Sequence, residues 1–252
     1  MIAGLPMYDR PETRAANDRL WAAIRDRLRA AGIDAPDGLD RDTAPFDLWT
    51  DPGLLLAQTC GFPFRAALQD RVALVATPDH GLPGCPPGFY NSVLVARADD
   101  RRGFRAFRGA KLAYNEPMSQ SGYAAPQFHA ALHGFRFARM LRSGSHRDSA
   151  RAVAGGAADI AALDAVSWAL IRRFDGFAAD LREVERTLPT PALPYITRPG
   201  GPVAVLQAAL AEGIASLDPG SRALLQLRGT VDIPAESYLR VPNPPPPGSG
   251  RG

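Results

Sequence analysis

Between residues 111 and 175 one pattern occurs three times: a short apolar run, a turn of small polar residues, and a stretch with helical spacing. Lys111-Leu112-Ala113-Tyr114 leads into Ser119-Gln120-Ser121-Gly122 and a helix predicted over 120–133. Residues 137–141 lead into Ser143-Gly144-Ser145-His146 and a helix over 145–154. Residues 158–163 lead into Asp164-Ala165-Val166-Ser167-Trp168 and a helix over 165–175. Strands that alternate with helices in this way predict parallel βαβ units. In such sheets the turns after the strands collect at one edge, where ligands bind. The first N–H groups of a helix have no intrahelical acceptor, and the helix dipole favours negative charge there. Three polar helix starts at one edge therefore predict a cleft for an anion.

The flanking segments read as a second set of elements. Residues 2–7 read as a first strand, with Asp9 as N-cap of a helix, Glu12 as its capping-box partner and Pro11 in the first turn. Ala16, Leu20, Ile24 and Leu28 mark the buried face of that helix, and Gly32 its end. Strands are expected at 54–58, 71–77, 90–97, 181–186 and 193–197, a short helix at 63–68, and helices near 201–213 and 219–227. The chain is expected to cross between two lobes near 92–97 and again near 186–193. Residues 1–92 with 190–240 would form one lobe and 93–189 the other, leaving 241–252, rich in Pro, Gly and Ser, as a disordered tail.

Composition narrows the function classes. The 252 residues are 46% hydrophobic and 22% charged, an ordinary globular balance with room for a full core. Net charge is only +3, Lys111 is the sole lysine, and there is no dense basic run, which argues against a nucleic-acid partner. No apolar stretch reaches the ~18–20 residues of a membrane span. The N-terminus has neither a basic n-region nor a long apolar h-region, so the chain as written is expected in the cytoplasm, or in the periplasm if a leader has been removed. The two cysteines, Cys60 and Cys85, could pair only in an oxidising compartment.

Ser119, Gln120 and Ser121 offer hydroxyl and amide donors, and Gly122 lets a backbone N–H come close; the alternative is a plain serine N-cap. His146, at the next helix start, could donate to an anionic oxygen or be a loop histidine. Asp164 could accept from a ligand or only cap its helix. Tyr8, Thr59 and Tyr90 follow or begin strands and are weaker candidates, as are Asn91 and Gly61. Trp49, Phe62 and Phe64 read first as core rather than as an aromatic wall. His129 and His133 have the i,i+4 spacing of a zinc pair, but no Glu lies between them and no third ligand is evident, so no metal site is expected. No Gly-x-Gly-x-x-Gly, P-loop or Gly-x-Ser-x-Gly motif occurs, so neither a cofactor nor a catalytic residue is expected.

Taken in order, Leu5-Pro6-Met7-Tyr8, Gln58-Thr59-Cys60-Gly61, Ala113-Tyr114-Asn115, Ser119-Gln120-Ser121-Gly122, Gly144-Ser145-His146, Asp164-Ala165-Val166-Ser167-Trp168 and Thr190-Pro191-x-Leu193-Pro194-Tyr195 resemble the phosphate/phosphite/phosphonate-binding family of ABC-transporter solute-binding proteins. The resemblance implies the two-lobed α/β type 2 periplasmic-binding-protein fold, with mixed sheets flanked by helices and a ligand cleft between the lobes. It implies a monomer that captures a small polar anion by hinge closure and delivers it to an ABC permease. It places the anionic head group at Ser119, Gln120 and Ser121, with His146, Asp164 and Tyr8 around it. The alternatives are a cytosolic enzyme on the same fold, of the menaquinone- or thiamine-pyrimidine-biosynthesis kind, with His146 and Asp164 as acid and base, or a soluble ligand sensor.

Overall fold

The computed structural model describes residues 1–248. In chain order its strands are β1 (Ile2–Gly4), β2 (Leu54–Gln58), β3 (Ala73–Asp79), β4 (Phe89–Tyr90), β5 (Ser92–Arg97), β6 (Lys111–Tyr114), β7 (Arg139–Arg142), β8 (Ile160–Asp164), β9 (Leu181–Arg186), β10 (Thr190–Pro191), β11 (Tyr195–Thr197) and β12 (Gly229–Val231). The helices are α1 (Arg14–Ala30), α2 (Pro45–Thr50), α3 (Gly61–Pro63), α4 (Ala125–Leu132), α5 (His146–Ala154), α6 (Ala165–Phe174), α7 (Val203–Ser216), α8 (Pro219–Leu225) and α9 (Ala235–Leu239). The chain divides into two compact units. The first comprises Met1–Phe89 and Pro191–Val241; the second comprises Tyr90–Thr190 and, of the described residues, 242–248.

The first unit is built on a five-stranded sheet ordered β1-β2-β11-β3-β12. β1 and β2 are parallel, and β11 runs antiparallel to both β2 and β3. The apolar face of α1 (Leu20, Trp21, Ile24, Leu28) packs with Leu206, Leu210 and Ile214 of α7 on one side of this sheet. A Cβ on Gly213 would stand 2.9 Å from Ile24 Cγ1, so glycine lets α7 approach α1 closely. Trp49 and Phe64 lie in the core on the other side with Leu54, Ile196 and Tyr238, and Phe62 is also buried. The Tyr238 hydroxyl donates to the Ala192 carbonyl (2.9 Å) and shares a 2.6 Å hydrogen bond with Thr77.

Several local expectations are corrected. The first strand ends at Gly4, because Pro6 has no amide hydrogen for a ladder; Pro6–Tyr8 is a 3-10 turn. Asp9 does not cap α1. It accepts from Asn17 Nδ2 (3.0 Å) and from Arg41 Nε (2.7 Å), and Thr13 organises the helix entry by donating to the Tyr8 carbonyl. Glu12 pairs with Arg10 instead of closing a capping box. The strand expected at 71–77 lies two residues later, and β12 and α9 come from segments with no strong periodicity. Cys60 and Cys85 form no disulfide.

The second unit has a sheet ordered β7-β6-β8-β5-β9. β6 is parallel to β7 and β8, while β5 is antiparallel to β8 and β9. One face of the sheet buries Leu94, Leu112, Ile160 and Ala162 with Phe104, Phe107, Phe135 and Phe137. Helix α5 packs against β5, β6 and β8. Of the segment read as a tail, Pro245 accepts a hydrogen bond from the Tyr123 hydroxyl through its carbonyl; residues 249–252 lie outside the described residues.

Candidate functional site

Because β6, β7 and β8 are parallel, their C-terminal ends share one edge of the second unit's sheet. The antiparallel neighbour β5 begins at that edge, with Ser92 opposite Asp164. The turns that follow the three parallel strands each open a helix, so three positive helix ends converge there.

The serine turn is built from its own side chains. Ser119 Oγ accepts from the Gly122 N–H at 2.9 Å, which satisfies one of the amides a helix start leaves unpaired. The Ser119 carbonyl accepts from Tyr123 N and Ala124 N, and residues Gln120–Ala124 form a wide π turn before α4. Gly122 is required by space: a Cβ would stand 1.9 Å from Asn115 Oδ1 and 3.2 Å from His146 Cε1. Ser119, Gln120 and Ser121 are all buried. Ser92 Oγ donates to the Ser121 carbonyl at 2.9 Å, fixing the turn against β5.

The second helix start is laced to the end of β6. Ser143 N donates to the Tyr114 carbonyl (2.9 Å) and Gly144 N to the Asn115 carbonyl (3.0 Å). Gly144 has φ +91°, a left-handed conformation that glycine adopts without a Cβ clash. Ser145 Oγ caps α5 by accepting from Asp148 N at 2.9 Å. This places His146 on the serine turn, with Nε2 2.8 Å from Ser121 Oγ. Burial pushes the imidazole down to about 4, partly offset by the Ala162 backbone, so the ring is neutral at pH 7. Nδ1 is buried and makes no hydrogen bond, so either neutral tautomer fits: with Nε2 unprotonated Ser121 Oγ donates to it, and with a proton on Nε2 the serine oxygen accepts.

Asp164 ends β8 and is 2% exposed. Its Oδ1 accepts from Val166 N (2.8 Å) and Ser167 N (3.0 Å), so it caps α6. Trp168 is core, with its indole N–H donating to Glu183 at 2.8 Å. Tyr90 is 1% exposed and lies in the packed interior. Thus Ser119, Gln120, Ser121, His146 and Asp164 gather at one edge. Ser92 carries no signal in the sequence, and Asn115 and Ser145 appear there only within their motifs; all three hold that edge in shape.

Tyr8 and Thr59 belong to the first unit. Thr59 directly follows β2; it is fully buried, and its Oγ1 makes no hydrogen bond. The Tyr8 ring meets His80 edge-on, with centroids 5.5 Å apart. Nδ1 of His80 lies 3.0 Å from the Gln226 carbonyl and carries the proton, so the buried Nε2 is an unused acceptor. Burial holds this imidazole at about 4. The only sequence signal for His80 is its place just after β3.

Two surface hollows, of about 750 and 770 Å³, are lined by none of Ser119, Gln120, Ser121, His146 and Asp164. In them Arg41 pairs with Asp9 and Asp18, and Arg172 with Glu183.

Among the described residues no helix is long and apolar enough to cross a membrane. No curated protein sequence matches the chain. In fold it is similar to PhnD1 from Prochlorococcus marinus in complex with methylphosphonate, at 14% identity over 94% of each chain and a TM-score of 0.68. It is similar to a binding protein component of an ABC phosphonate transporter from Pseudomonas aeruginosa, at 18% identity over 94% of this chain and 82% of that one, TM-score 0.67. It is also similar to a Xanthomonas citri protein bound to chloride ion, at 21% identity over 95% of this chain and 94% of that one, TM-score 0.68. These likenesses establish a periplasmic-binding-protein fold. The family profile described as "ABC transporter, phosphonate, periplasmic substrate-binding protein" matches residues 56–235. The chain therefore belongs to the periplasmic phosphonate-binding family of ABC-transporter substrate-binding proteins.

Proposed function

We propose that this family member captures a small phosphonate-class anion at the serine turn of its second unit, without turning it over, and delivers it to an ABC permease in the periplasm. The observation that carries the reading is the convergence of the Ser119–Gly122, Ser145–His146 and Asp164–Ser167 helix starts on one sheet edge. Micromolar binding needs about 8 kcal/mol. A helix start supplies ~0.3–2 kcal/mol to an anion and a charged hydrogen bond ~1.5–3 kcal/mol. One turn is therefore too little, and several converging donors suffice.

Ser119, Gln120 and Ser121 are the proposed head-group donors. His146 tunes Ser121, and Asp164 accepts from a protonated ligand oxygen or amine at the same edge. Tyr8, Thr59 and His80 are further polar candidates on the first unit, of which Tyr8 and His80 touch edge-on. A Ser–His pair also suits a nucleophile and base, but catalysis of that kind adds a third group that orients the histidine. Here Asp164 Oδ1 is committed to two α6 amides and no side chain holds the buried Nδ1 of His146, which favours binding.

A thermal-shift screen against methylphosphonate, phosphite, phosphate and alkylsulfonates tests the reading, with product analysis after overnight incubation. Stabilisation by a phosphonate-class anion and no product is expected. Stabilisation only by neutral compounds, or turnover lost on His146→Ala, would overturn it.

A further inference from the structure

Helix α4, which continues from the serine turn, carries a side-chain cluster that anion binding does not use. His129 and His133 stand one helical turn apart, ring centroids 5.0 Å from each other. Glu185 of β9 faces both: its Oε2 lies 3.4 Å from His129 Nε2 and its Oε1 4.0 Å from His133 Nε2. One donor atom from each of the three residues can be chosen so that all lie within 4.8 Å of one another. The helix alone offers two ligands; the sheet supplies the third, 52 residues after His133.

His129 is 8% exposed, and neither of its ring nitrogens makes a hydrogen bond. A buried imidazole without a hydrogen bond is costly unless something else takes its lone pair. Phe104 packs against both rings, with centroids at 4.6 and 5.2 Å, and limits their rotation. The other two ligands are reachable, with His133 21% and Glu185 41% exposed at the side chain. Zinc bonds of ~2.0–2.2 Å to nitrogen and oxygen put tetrahedral donors about 3.4 Å apart. The His129–Glu185 separation already has that value, and a small turn of the exposed Glu185 and His133 closes the rest.

The geometry points to a divalent transition-metal site, of the Zn²⁺ class, formed by His129, His133 and Glu185 and tying α4 to β9. Two imidazoles and a carboxylate, with water completing the shell, suit Zn²⁺ or Ni²⁺ and not the all-oxygen preference of Mg²⁺. Arg105 competes for the site: its Nε donates to His133 Nδ1 at 3.2 Å. Coordination through His133 Nε2 moves the ring proton to Nδ1, so the exposed Arg105 must turn away. The proposal does not depend on the phosphonate reading.

The test is Zn²⁺ titration of the tag-free full chain in competition with a chromophoric chelator, repeated with Mg²⁺. One equivalent of Zn²⁺ is expected to bind, Mg²⁺ is not expected to displace it, and Zn²⁺ is expected to raise the melting temperature. Loss of even an outer-shell partner costs a metal site ~10–100-fold, so His133→Ala and Glu185→Gln should each weaken binding at least ~10-fold. Both positions are accessible, so circular dichroism of the metal-free variants is expected to match that of the parent. Arg105→Ala should tighten binding. No stoichiometric Zn²⁺ binding, or binding that survives both His133→Ala and Glu185→Gln, would overturn the assignment.

Discussion

Ser121 Oγ lies 2.8 Å from Nε2 of His146, a histidine that burial keeps neutral. The pair joins the two helix starts that follow β6 and β7. With Nε2 unprotonated the serine proton points at the imidazole; with a proton on Nε2 the serine oxygen accepts. An anion that takes that proton as a hydrogen bond must be matched by a proton on Nε2. That proton can come from Nδ1 or from solvent, and an anion is expected to draw the charged imidazolium over the neutral Nε2–H tautomer because the added charge attracts it: methylphosphonate affinity should rise as pH falls from 7.5 to 5.5, with calorimetry in buffers of different ionisation enthalpy reporting the proton. A pH-independent affinity that persists in His146→Gln would contradict this linkage.

Stability should fall on acidification through a definite window. His80 and His146 titrate at about 4 in the folded protein against an ordinary 6.5. Between those values the unfolded chain binds more protons than the folded one, so stability rises with pH there. Lowering pH from about 6.5 to 4 should thus reduce the urea midpoint, with the two histidines contributing up to two protons of linkage. His146→Gln should remove about half of that slope. An unchanged slope would mean that His146 is protonated in the fold.

Gly122→Ala is predicted to disrupt the serine turn. The new Cβ would stand 1.9 Å from Asn115 Oδ1, an overlap that the packed turn cannot absorb without moving. Overpacking of this kind costs ~1–3 kcal/mol. Thermal denaturation should show the loss, and methylphosphonate binding should weaken with it. A melting temperature equal to the parent's would mean that Asn115 swings away freely.

Two substitutions separate the structural role of Asp164 from its proposed ligand role. Asp164→Ala removes the acceptor of the Val166 and Ser167 amides and should cost ~0.5–2 kcal/mol. Asp164→Asn keeps a capping oxygen and should hold the melting temperature closer to the parent's. If Asp164 also accepts from the ligand, Asn should still lower affinity for ligands that carry a proton or amine. Parent-like affinity in Asp164→Asn would confine the residue to capping.

The parts of the fold that were legible in the sequence share a physical cause. Ser119 and Asp164 were visible as helix starts because short oxygen-bearing side chains do one job well there, and both accept from amides two or three residues on. The apolar runs of β6 and β8 are buried on both faces and read continuously. By contrast, β7 (Arg-Met-Leu-Arg) is an edge strand with exposed arginines at both ends, so the apolar Phe137 draws the sequence expectation to a start two residues before the true one. Asp9 carried the composition of a cap, yet long-range partners, Asn17 and Arg41, claim it. Tyr238, His80 and Glu185 could not be placed from local pattern. Each acquires its meaning from residues far away in sequence: Thr77 for Tyr238, Gln226 for His80, and the α4 histidines for Glu185.

Isothermal titration of the parent and of Ser121→Ala with methylphosphonate at pH 7 bears most directly on the central claim. Removing one hydrogen bond to a charged group should cost ~1.5–3 kcal/mol, about 10–150-fold in affinity. The account predicts one site on the parent, a loss in that range for Ser121→Ala, and a melting temperature that shows the variant is folded. Parent-like affinity in Ser121→Ala, or no heat from any phosphonate, phosphite or phosphate on the parent, would contradict it.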